Sequence, residues 1–151
     1  MEILNFDSGI KEYRLTENGA LLRFNPSDPN VYARYMDSLE KIQAAEKAMA
    51  EEASKIDTEN GGEAVGESII RLMNNGDKQV KKILNDIFGH GNDFDKILDG
   101  VNLMAVASNG NRVISNLLEA FEPLMHEGIG SFITGEVEEA KKNRAQRRAM
   151  Q

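Results

Sequence analysis

The sequence predicts a mainly α protein in which a small N-terminal antiparallel β-hairpin, of two or three strands, packs on a multi-helix bundle. Three observations carry that reading. Period-two alternation of apolar and polar residues is confined to residues 1–25. From Val31 to Met125 the apolar residues recur at three- to four-residue spacing. After Gly135 the chain becomes charged and poor in apolar residues. A length of 151 residues suits one domain, and 40% hydrophobic against 28% charged residues is a globular balance. The expected organisation is one α-rich domain over 1–135, its hairpin within about 1–25, followed by a basic tail over 136–151.

Within the hairpin, Lys11–Thr16 alternates, with Tyr13 and Leu15 on one face and Glu12, Arg14 and Thr16 on the other. Asn18-Gly19 is the dipeptide that suits a type I′ turn, because both residues tolerate positive φ. Leu21–Phe24 would then return antiparallel. An isolated hairpin is barely stable in water, so it must pack on a helix or recruit Ile3–Phe6 as a third strand. Asp28-Pro29 is a helix start: a carboxylate to cap free N–H groups, then a proline where a missing N–H costs nothing.

The first helix should run from there towards Ile56, with Val31, Tyr35, Leu39, Ile42 and Met49 as its stripe. Asp57–Gly62 reads as a break. A second helical stretch carries Val65, Ile69, Leu72 and Met73, is interrupted or kinked at Asn74-Asn75-Gly76-Asp77, and resumes through Val80, Leu84 and Ile87. Gly89-His90-Gly91-Asn92 reads as a turn, and Val101–Val106 as a short helix or a buried connection. The last clear helix bears the dense stripe Val113, Ile114, Leu117, Leu118, Phe121 and Met125, with a kink expected near Pro123. Gly128-Ile129-Gly130 reads as a helix stop. Val137–Gln151 reads as a marginal helix or a disordered tail.

Charge and composition exclude several classes. Cysteine is absent, which removes disulfide frameworks, thiolate metal sites and thiol nucleophiles. The start MEILNFDSGIKEY has neither a basic opening nor an apolar secretory core, so a soluble, cytosolic protein is expected. The net charge of −7 is uneven. Residues 136–151 hold Lys141, Lys142, Arg144, Arg147 and Arg148 against Glu136, Glu138 and Glu139, a net +2 that leaves −9 for the rest. An acidic body is repelled by phosphate backbones, and the basic end has no aromatic residue to stack on bases, so no nucleic-acid partner is expected. No apolar run is long enough to span a membrane.

Catalytic signatures are thin. His90 and His126 are the only imidazoles. With Asp93 or Asp95 they would make an imidazole–carboxylate metal set, but no ligand spacing such as HExxH supports it. A calcium loop counted from Asp93 would need a central glycine and a bidentate glutamate where Leu98 and Met104 stand. No phosphate-cradling glycine motif and no GxSxG is present. Neither catalytic residues, nor a metal site, nor a cofactor are therefore expected. What remains is a surplus of apolar helix faces. The Val113–Met125 stripe reads first as core, yet a surplus of this kind suits self-association or a helical partner. The candidate partner-binding residues are Val113, Ile114, Leu117, Leu118, Phe121 and Met125, then Tyr35, Leu39 and Ile42, with Arg144, Arg147 and Arg148 as a polar clamp.

The order of these features resembles the tail assembly chaperones of long-tailed phages and prophages of Gram-positive hosts. The residues that carry the resemblance are Phe24-Asn25-Pro26-Ser27-Asp28-Pro29 at the helix entry and Ile87-Phe88-Gly89 before a Gly/Asp-rich turn. They continue with the LLEAFEPLM helix from Leu117 to Met125 and the KNRAQRRAM end from Lys142 to Met150. The resemblance implies a non-enzymatic accessory protein of virion morphogenesis, made in the host cytoplasm and absent from the mature virion. Such a protein binds and solubilises the helical tape measure protein while tail tube protein polymerises around it. The alternative is a small phage-encoded regulator or inhibitor that binds a host protein through its acidic surface.

Overall fold

A computed structural model describes residues 1–56, 62–89 and 91–150. Strands β1 (Lys11–Arg14) and β2 (Leu21–Phe24) precede helices α1 (Pro29–Ser54), α2 (Gly62–Phe88), α3 (Phe94–Ile97) and α4 (Val113–Ala149). The mainly helical architecture with an N-terminal hairpin is the predicted one. The strands pair antiparallel with Tyr13 opposite Leu22 and Glu12 opposite Arg23. Among the described residues the sheet has these two strands only. Ile3, Leu4 and Phe6 lie exposed outside it, so Ile3–Phe6 is not the third strand.

The hairpin connection also departs from expectation. Positive φ is found neither at Asn18 nor at Gly19, which excludes the type I′ turn. The strands are joined instead by the longer loop 15–20. It is held from within by the Arg14 guanidinium donating to the Glu17 and Gly19 carbonyls, and from outside by Thr16 Oγ1 donating to Ile97 O at 3.0 Å. Glycine is required at 19 for another reason: a Cβ there would collide with the Ile97 carbonyl. Tertiary packing against the α3 end thus overrides the local preference of Asn-Gly.

Asp28 caps α1 as expected, its Oδ1 accepting from Asn30 N at 2.9 Å with Pro29 in the first turn. The expected break over 57–62 lies largely outside the described residues, and α2 begins at Gly62. That helix runs unbroken through Asn74–Asp77, contrary to the expected interruption. Gly76 is where the side chains of Met49 and Met104 press on α2; a Cβ would lie 2.9 Å from Met49 Sδ. Asp77 is buried, accepts Leu103 N at 2.7 Å and pairs with Lys81 at 2.9 Å. Residues that look like a stop are thus a docking point for α1 and for the connection after α3.

Gly89 and Gly91 have positive φ, consistent with a turn, while His90 lies outside the described residues. Asp93 caps α3 through Asp95 N, and Asp95 reaches Lys81 at 3.2 Å. The segment 101–106 is a connection rather than a helix, with Leu103 and Met104 buried and Val106 bridged to Arg112. α4 carries through Pro123, through Gly128-Ile129-Gly130 and through the expected domain boundary at 135 to Ala149. Gly128 is no stop: a Cβ there would strike the Pro26 carbonyl, so its bareness lets the β2–α1 loop approach α4. Of the two readings for residues 136–151, the structure shows the helix.

Phe88, at the end of α2, knits the elements together. Its ring lies 4.7 Å from that of Phe24 on β2, 5.6 Å from Phe94 on α3 and 5.2 Å from Phe121 on α4. Offset and tilted rings at such separations attract beyond the area they bury. Around them Leu22, Ile42, Leu84, Ile87, Ile97, Leu103 and Ile114 are fully enclosed. This core fixes α1 beside α4, which sets up the site.

Candidate functional site

A groove of about 450 Å³ lies between α1 and the first half of α4. Its floor is apolar. Tyr35, Met36 and Leu39 come from α1 and Leu118 from α4. Tyr35 and Leu39 are one helical turn apart, and Leu118 faces them because Phe121, one turn on, is drawn into the core. Met36 is 45% exposed, a flexible thioether at the mouth that can adapt to different shapes.

The rim is polar and acidic: Ser115, Glu119, Glu122 and His126, all on α4. Glu122 Oε1 lies 3.7 Å from His126 Nε2 one turn further along. Burial raises the Tyr35 phenol above its ordinary pKa, with the Glu122 charge and Tyr32 adding to the effect. Tyr13 is raised similarly, chiefly by burial, with the Glu127 charge on α4 adding to it. Each shift favours the neutral phenol. Among the described residues, no three His, Asp or Glu side chains gather where a metal could sit.

The predicted site residues separate into four groups. Leu39 and Leu118, both half-buried, meet in the groove, where Tyr35 lines the floor although it is only 4% exposed. Ile42, Ile114, Phe121 and Met125 are sealed in the core at 0%, 0%, 4% and 1% exposure, and none of them lines the groove. Val113 and Leu117 are half-buried against that core. Arg144, Arg147 and Arg148 stand exposed on the distal part of α4, away from the groove along the chain. Sequence reasoning puts Met36 on the α1 stripe but counts neither it nor the rim glutamates among the site residues. Periodicity finds apolar stripes, whereas a groove forms where two stripes diverge, and only the packing shows that place. His126 sits in mid-helix beside the groove.

Asn92 was also missed. This buried amide accepts from Arg23 N at 3.0 Å, donates to Arg23 O at 2.8 Å and donates to Phe88 O at 3.1 Å. It ties the free edge of β2 to the end of α2.

No curated protein and no solved structure matches the chain. One family model does, over residues 18–151, and so takes in β2, every helix, the groove and the basic end. The chain therefore belongs to DUF6673, a family of unknown function.

Proposed function

We propose that the chain is a non-enzymatic tail assembly chaperone of a long-tailed phage or prophage, acting in the host cytoplasm and absent from the finished virion. It holds an apolar helical segment of the tape measure protein soluble while tail tube protein assembles around it. The observation that supports this reading best is the α1–α4 groove, with Tyr35, Met36, Leu39 and Leu118 as floor and Glu119 and Glu122 as rim. An amphipathic helix buries its apolar face in such a groove, and acidic rims select helices flanked by Lys or Arg. The net charge of −7 keeps a complex with a greasy client in solution. The resemblance in the Phe24–Pro29, Leu117–Met125 and Lys142–Met150 stretches supports the same reading.

Co-expression with the tape measure protein of the same genome tests it. The client should move from the insoluble to the soluble fraction and co-purify with the chain. Leu39→Glu or Leu118→Glu, each placing a charge on the groove floor, should abolish that rescue while the circular dichroism spectrum stays helical. No gain in solubility and no co-purification would remove the reading. Tight capture of a host factor instead would favour the regulator alternative.

A further inference from the structure

Residues of α4 beyond the groove pose a problem of their own. From Ile133 to Ala149 every residue is exposed, so the helix projects from the body as a rod. Seventeen residues at 1.5 Å each make it about 25 Å long. Helices of this length are marginal alone in water, and this one leaves Ile133 55% and Val137 49% exposed. Advancing 100° per residue, Ile129, Ile133 and Val137 fall on the same side of α4 as Glu119, Glu122 and His126 of the groove rim. Ala140, Arg144 and Arg147 continue that side to the end. One helix face is therefore acidic at its start, aliphatic in the middle and cationic at its finish.

We propose that this face pairs with itself: two copies join through antiparallel α4 helices related by a two-fold axis at Ile133. The registration follows from the sequence. With Ile133 against its own copy, Val137 meets Ile129, Ala140 meets His126, Arg144 meets Glu122 and Arg147 meets Glu119, each contact occurring twice. The small Ala140 leaves room for the imidazole. A two-fold interface must be self-complementary, and a face whose charge reverses about an aliphatic centre meets that condition when antiparallel and opposes it when parallel. The cationic end of each rod thereby lies in the acidic-rimmed groove of the other copy. The pairing needs only the groove's shape and charge, whatever the client, so it can stand or fall separately from the chaperone reading.

Sedimentation of the purified full chain tests it. The expected species has twice the 16.8 kDa of one chain and dissociates more readily as salt rises. Arg144→Glu sets like charges opposite Glu122 at both ends and should weaken the dimer roughly tenfold or more. Adding Glu122→Arg to that variant restores opposite signs and should restore the dimer, which a merely misfolded variant would not show. The cysteine-free background allows a second readout. Ile133→Cys should cross-link to its own copy under mild oxidation, whereas Glu139→Cys, on the other side of the helix, should not. A monomer at all concentrations up to about 1 mM overturns the proposal, as does a dimer that cross-links at Glu139→Cys but not at Ile133→Cys.

Discussion

Asn92 gives β2, through one side chain, the hydrogen bonds a third strand would otherwise supply, and this explains how a two-stranded sheet holds in this protein. Asp77 performs a comparable task on α2, accepting Leu103 N while neutralising the buried Lys81. Truncation by Asp77→Ala should cost about 3 kcal/mol, the low end for breaking a buried ion pair, because the exposed Asp95 still reaches Lys81 at 3.2 Å. Urea denaturation measures it, and a loss under about 1 kcal/mol would contradict the account. At Tyr35 the prediction concerns pH. Its phenol is raised above 10.0 in the folded state, chiefly by burial and then by Glu122. The folded chain thus retains a proton that the unfolded chain has already released, so stability is full below about pH 10 and declines above it. Phenolate absorbance should show Tyr35 ionising late, and Glu122→Gln should draw it part of the way back.

Within single elements, local preference and tertiary contact pull against each other on α4. Pro123 lies exposed inside the helix, removing one backbone hydrogen bond. Pro123→Ala should stabilise the chain by up to about 3 kcal/mol, the helix-interior penalty of proline. Gly128→Ala should do the reverse despite alanine's better propensity, because its methyl group would strike the Pro26 carbonyl. Thermal denaturation of both variants checks the opposite signs. The same tension explains what the sequence disclosed. The Asp28-Pro29 entry, the α1 stripe and β2 were legible because capping chemistry and periodicity are local. The α2 interruption at Asn74–Asp77, the type I′ turn at Asn18-Gly19 and the stop at Gly128 were misread because each of those residues answers to a contact distant in sequence: Leu103 and Met104, Ile97, and Pro26. Small and amide residues serve both turns and close packing, and spacing alone does not separate the two uses.

Across the whole molecule, the division into an acidic body and a basic end was readable from charge alone, but its geometry was not. Periodicity alone does not separate Tyr35, Leu39 and Leu118, which line the groove, from Ile42, Ile114, Phe121 and Met125, which the core encloses, since a stripe does not declare which of its members a neighbouring helix will cover. In the structure the α4 face joins these separate readings, passing from groove rim to projecting rod without a break. If the proposed client and the proposed second copy both use this one surface, the two are mutually exclusive. By mass action, once dimers dominate, vacant grooves increase only as the square root of the total chain. Overproduction would then be buffered: surplus chain would be stored in paired form and released as any partner of the groove consumed monomer.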